Sequence, residues 1–198
     1  MSVLILNVTG NINGVEDQFC QNIIRGIPYN VDLVNRGGPE LTEGEPVLNN
    51  HFYKVVVIVG HACALPGSNT FIDIGFDDPS LIPQAQIAIN SPTTFVQTLG
   101  NNMEDYILIY CSCNALSVET LDSGITDPHC IGVIASIDPV NTNTDVNLVT
   151  EIINSVYLSV LNNQTSLNHL HRLIVNIVNN HGGRPLFRYL ETSRVEIE

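Results

Sequence analysis

The chain has 198 residues, with 7 Lys plus Arg against 20 Asp plus Glu, a formal net charge of −13. So acidic a balance argues against nucleic acid, which needs a basic footprint, and suits a basic peptide or partner protein drawn in by long-range steering. Hydrophobic residues make up 44% of the chain, too many for disorder, and no apolar run approaches the ~18–20 residues that span a membrane.

A chain of this size buries roughly 70% of its unfolded surface, so a single domain over residues 1–198 is expected, with no linker. The five cysteines (Cys20, Cys63, Cys111, Cys113 and Cys130) are an odd count. That is no disulfide framework; it points to reduced thiols and a cytoplasmic setting.

The opening residues MSVLILNV lack a basic n-region and a small-residue cleavage site, so they read as a first strand over Val3 to Val8, not as a signal peptide. Thr9 to Gly14 is a turn cluster of Gly and Asn. Val15 to Arg25 follows as a helix, with Val15, Phe19, Ile23 and Ile24 roughly on one face, stopped by Gly26 and Pro28. Val31 to Val34 is a short strand, and Arg36 to Asn50 reads as an exposed loop, with His51 just after it. Lys54 to Gly60 is a strand of five consecutive β-branched apolar residues, the signature of a strand buried on both faces.

Beyond Cys63 the pattern changes. Thr70 to Ile74 and Gln86 to Ile89 alternate weakly and suggest a hairpin or flap carrying Asp73, Asp77 and Asp78. Ser91-Pro92 opens a helix through Leu99, stopped at Gly100. Tyr106 to Tyr110 is a second buried strand, with a helix over Asn114 to Leu121. Cys130 to Ile137 is a third, ended by Asp138-Pro139. Two amphipathic helices follow, built on Val146, Val149, Ile153, Val156 and Val160, then on Leu167, Leu170, Ile174 and Ile177. Leu186 to Leu190 suits an edge strand. Strands alternating with helices predict an α/β fold, a mainly parallel sheet with helices on both faces.

In such sheets ligands bind outside the carboxyl ends of the strands. His61 stands just past one strand, and Cys111, Ser112 and Cys113 stand at the end of another about fifty residues on. A thiol nucleophile needs a base within reach and donors aimed at the developing oxyanion. Histidine, whose pKa lies near neutrality, suits the base and acid roles. The backbone N–H groups of Ala62 and of the nucleophile are candidates for the oxyanion hole.

The order VVVIVGHA (55–62), ILIYCSCNA (107–115) and VIASIDPV (133–140), followed by the helix from Val146, resembles the CHAT branch of caspase-like proteins. The resemblance covers roughly Lys54 to Leu161. It implies a three-layer caspase-like sandwich and a Cys–His peptidase dyad acting on a protein or peptide, without metal or cofactor. Cys113, with Ser112 before it and Asn114 after it, matches the family's nucleophile position, and His61 its histidine. Cys111 is the alternative nucleophile, since Cys111 to Leu116 resembles the separase pattern. Ala62 replaces the family's glycine, and Asp138 its tryptophan. Asp138 on the same rim can receive a basic substrate side chain, or it simply starts a turn.

Two other readings stay open. His61, Cys63, Cys111 and Cys113 form a Cys₃His set of the kind that holds zinc, although one-residue spacing is awkward for a structural site. A caspase-like module without activity, serving as a scaffold, is the other. The small size leaves room for a regulatory protein partner. His129, His169, His171 and His181 read as turn and helix-surface residues, the last suited to a helix C-terminus.

Overall fold

The computed structural model describes residues 2–9, 13–36, 48–64, 70–73, 100–111, 129–136, 140–183 and 187–191. Its centre is a six-stranded sheet made from the apolar runs: β1 (Ser2–Asn7), β2 (Val31–Asn35), β4 (Tyr53–Val59), β8 (Tyr106–Cys111), β9 (Cys130–Ser136) and β10 (Phe187–Glu191). The spatial order is β10-β9-β8-β4-β1-β2. Five strands run parallel, and β10 closes one edge antiparallel to β9. The expected mainly parallel α/β sheet is therefore present, with the tail strand at its edge.

Both faces of this sheet are buried. One carries Val3, Ile5, Val55, Val57, Ile107 and Ile109, packed against helices α1 (Val15–Arg25), α2 (Val146–Leu161) and α3 (Leu167–Asn180). On the other face Leu4, Leu6, Val56, Ile58, Leu108 and Tyr110 are equally withdrawn from solvent. Each such aliphatic side chain contributes about 1.5–3 kcal/mol on burial, which is why continuous runs without alternation become central strands. Among the described residues the three helices all lie on the first face. The helices expected over Thr93 to Leu99 and Asn114 to Leu121 lie outside the described residues.

Local chemistry sets the helix ends. Glu16 and Asp17 stand in the first turn of α1 and Arg25 in its last, each sign matched to the helix dipole. Gly26 ends α1 where a Cβ would come within 2.6 Å of Thr150 Cγ2 on α2, so α1 and α2 touch there only because the side chain is missing. Ser166 caps α3, its hydroxyl accepting from the His169 N–H at 3.4 Å. Asn163, at φ 54°, turns the chain between α2 and α3.

Two small sheets flank the large one. β3 (Leu48–His51) pairs parallel with β7 (Gly100–Asn102), and β5 (His61–Ala64) pairs antiparallel with β6 (Thr70–Asp73). The first corrects the sequence reading, which makes Leu48 to Asn50 part of a loop; Gly100, expected to stop a helix, opens β7. The cause is tertiary. Buried Asn102 accepts from the Tyr53 N–H at 2.8 Å and donates to the Tyr53 and Glu104 carbonyls at 2.9 and 2.7 Å. Lys54 and Glu104 pair beside it. The second sheet refines the expected hairpin: Thr70–Asp73 is a strand, but it pairs with the chain at His61. Residues 86–89 lie outside the described residues.

Candidate active site

Valine repetition in β4 and the aromatic-aliphatic run of β8 make these two strands neighbours at the sheet centre. They pair parallel and in register, Val55 with Ile107 through to Val59 with Cys111. The ladder ends where Gly60 donates its N–H to the Cys111 carbonyl at 3.3 Å. Past Gly60 the chain leaves the large sheet, and His61 opens β5 opposite Asp73. His61 is thus the second residue beyond Val59, and Cys113 is the second beyond Cys111, from strand ends that lie level and adjacent. Cys113 and Asp138 themselves lie outside the described residues, as do Asp77 and Asp78.

Ala62, whose N–H is a candidate oxyanion donor, is paired with Ile72 in the β5–β6 ribbon. The N–H nearest the strand end, that of Gly60, is committed to the Cys111 carbonyl.

Cys111 is the one candidate nucleophile described in full. It is 2% exposed and belongs to the apolar cluster under α1 and α2. Burial pushes its thiol well above the ordinary range, and the nearby Cys20 and Asp145 add to the effect. The thiolate is the reactive form, so Cys111 is held as an inert core thiol. Cys20 is similar: burial, reinforced by Asp17, pushes it up to about 12. Cys130 is buried as well, and its thiol donates to the Gly132 carbonyl at 3.6 Å. Among the described residues no three His, Cys, Asp or Glu side chains are grouped to hold a metal ion. The Cys₃His set includes Cys113 and so extends beyond those residues.

The other histidines have ordinary neighbours. His129 Nδ1 lies 3.5 Å from Asp105 Oδ1 at the amino end of the strands. His169 Nε2 meets Ser159 Oγ at 3.3 Å, and His181 Nε2 meets Glu151 Oε2 at 2.6 Å, both joining α3 to α2. His51 lies in β3. Among the described residues no helix is long and apolar enough to cross a membrane.

The rim also holds a hydrogen-bonded group to which the sequence reading gave no role, placing Asn7 in a strand, Thr9 and Asn13 in a turn and Asp17 in a helix. Asn7, fully buried at the last position of β1, lies opposite Asn35 on one side and Val59 on the other. Its Nδ2 donates to Asn35 Oδ1 at 2.9 Å, and its Oδ1 accepts from the Thr9 hydroxyl and N–H at 2.7 and 3.2 Å. Asn35 Nδ2 reaches Asp17 Oδ1 at 3.4 Å, and Asp17 Oδ2 accepts from the Asn13 N–H at 3.1 Å. The available signal was an asparagine placed directly after apolar residues, in both LILN and LVN. No protein-family model matches the chain, and no curated protein matches it.

Proposed function

We propose that the protein is a caspase-like cysteine endopeptidase in which Cys113 is the nucleophile and His61 the general acid and base. The observation that supports it most is the register of β4 and β8. With Val59 opposite Cys111, and neighbouring strands about 4.8 Å apart, residues two steps beyond each end start from adjacent positions. The sheet supports the three-layer reading: five parallel strands, an antiparallel edge strand and two buried faces are compatible with that architecture. The burial of Cys111 leaves Cys113 as the better nucleophile of the pair.

The chemistry follows the residue types. Cys113 Sγ attacks the peptide carbonyl carbon while His61 holds the thiol proton. The oxyanion that forms is met by backbone N–H groups, those of Cys113 and Ala62. The C–N bond breaks as His61 gives its proton to the leaving amine. Water, deprotonated by His61, then attacks the thioester and releases the carboxylate and the thiol. Asp138 is the candidate for receiving a basic side chain of the substrate.

Ala62, in place of the family's glycine and within a β-ribbon, favours a second reading, a caspase-like binding module without activity. One experiment separates the two. Cleavage of a peptide library is compared for wild type, Cys113→Ala, Cys111→Ala and His61→Ala, together with alkylation of Cys113 by iodoacetamide. The peptidase loses cleavage in Cys113→Ala and keeps it in Cys111→Ala, and alkylation slows about 10²–10⁴-fold in His61→Ala. Alkylation indifferent to His61, with no cleavage in wild type, leaves the binding module.

A further inference from the structure

Asn13 is followed by Gly14, the single Asn-Gly step in the chain. An asparagine amide carbon is open to attack by the backbone nitrogen of the next residue, and glycine, with no Cβ, lets that nitrogen come closest. The attack also needs both groups free of other bonds and within reach of water. Asn13 is exposed, at φ 68°, in the turn that leads into α1. Among the described residues no hydrogen bond engages its side-chain amide or the Gly14 N–H. Exposed turns open at the low end of the stability range, so Gly14 N reaches Asn13 Cγ without disturbing the core.

Other asparagines are protected. Asn7 is fully buried, has its amide bonded to Asn35 and Thr9, and precedes Val8. Asn102 is buried and bonded to Tyr53 and Glu104. Asn163 matches Asn13 in exposure and in its φ of 54°, but Gln164 follows it.

The backbone length matters at this step. The Asn13 N–H donates to Asp17 Oδ2 at 3.1 Å, and Gly14, the N-cap of α1, accepts from the Gln18 N–H at 3.1 Å. The two bonds grip the helix entrance from either side of the Asn13–Gly14 peptide bond, and α1 has no side-chain cap to add to them. A main chain longer by one methylene between them loses one or the other.

We propose that Asn13–Gly14 is a site of spontaneous deamidation that converts Asn13 mainly to isoaspartate and loosens the entrance of α1 as the protein ages. The Gly14 nitrogen gives its proton to solvent base and bonds to Asn13 Cγ, and the side-chain nitrogen takes a proton from water and leaves as ammonia. The ring that remains is a succinimide. Water then adds to one of its two carbonyls, the C–N bond there breaks, and a carboxylate and a proton result. Opening at the Asn13 main-chain carbonyl leaves the chain running through Cβ and Cγ, which is isoaspartate. The site stands apart from the peptidase reading.

The test holds the purified full chain at physiological temperature and mildly alkaline pH, with samples digested and mapped by mass spectrometry and isoaspartate identified by electron-transfer fragmentation. Asn13 exchanges its NH2 for OH first, while Asn163 and Asn102 keep theirs. Gly14→Ala, unstrained at φ −77°, slows the change at least about tenfold, because its Cβ crowds the approach. The Tm of the aged protein falls by about 2–4 °C, the shift of one lost hydrogen bond in a chain of this length. Asn13→Asp adds the charge without the extra backbone atom and loses less, since a negative charge suits a helix N-terminus. Asn13 intact over the whole incubation, or changed as fast in Gly14→Ala, overturns the site. An unchanged Tm after conversion, or Asn13→Asp falling as far as the aged protein, overturns the loosening of α1.

Discussion

Replacing Cys111 tests whether the strand-end cysteine is core or chemistry. The residue is 2% exposed, packed among Val59, Ile109 and the α1–α2 layer, and its thiol is held protonated by burial. Cys111→Ala removes one sulfur atom from a close-packed site. Loss of one methylene-sized group costs about 0.8 kcal/mol in transfer, and the residual cavity raises the total to about 1–1.5 kcal/mol. At about 2–4 °C per kcal/mol for a chain of this length, Tm falls by roughly 2–6 °C. Cys111→Ser does worse, because its hydroxyl enters an apolar cluster at a cost of about 1–3 kcal/mol. Thermal unfolding followed by circular dichroism measures both. In parallel, native wild-type protein is treated with iodoacetamide and digested, and labelled cysteines are located by mass spectrometry. Cys111 stays unlabelled until the protein unfolds. Rapid labelling of Cys111 in the native protein, or loss of peptide cleavage in Cys111→Ala at unchanged Tm, would refute the assignment of Cys111 to the core and restore it as the nucleophile.

Three further outcomes follow from the packing. Gly26→Ala sets a methyl group 2.6 Å from Thr150 Cγ2; it destabilises by about 1–3 kcal/mol, and Thr150→Ser, which removes that methyl, recovers most of the loss in denaturant titrations. Asn102→Ala leaves the buried Tyr53 N–H without its 2.8 Å partner and removes two carbonyl contacts, costing about 2–4 kcal/mol by the penalty for unsatisfied groups; hydrogen exchange at Tyr53 accelerates in that variant. Alkali destabilises the fold. The Cys20 thiol rises from 9.0 to about 12 on folding, so above pH 9 the unfolded chain binds fewer protons than the folded one. Stability is fully present below pH 9 and is lost up to about pH 12, at about 1.4 kcal/mol per pH unit for this thiol. Buried Cys111 and Tyr110 shift in the same direction. Urea midpoints measured from pH 7 to 11 check the slope, and Cys20→Ala flattens it.

The strands of the large sheet were legible because burial on both faces demands an unbroken apolar run, as in VVVIV and YILIY. The helices were legible from their three- and four-residue rhythm, and α1 runs from Val15 to Arg25 as expected. The sequences LNNH and GNN have no such pattern. They become strands because Asn102 satisfies Tyr53, a contact between residues 49 positions apart. At the site, His61 and the cysteines stood out because glycine and small residues punctuate the strand ends. The Asn7 chain did not, since NVTG has the composition of any turn and only the register of β1 against β2 and β4 brings Asn7, Asn35 and Val59 into one row.

The layer formed by α1, α2 and α3 also orders events in time. The apolar floor beneath the rim comes largely from α2 and α3, residues 146–180, whereas His61 and both candidate cysteines are made earlier. During synthesis at ~5–20 residues per second, β4 and β8 therefore emerge seconds before the helices that cover one of their faces. Until α2 docks, Val55, Val57, Ile107 and Ile109 have no complete layer to bury against, and the spacing of the two strand ends is not fixed. The nascent chain consequently carries His61 and the candidate cysteines in an unassembled state. Any peptidase activity switches on only when the second half of the chain closes over the first.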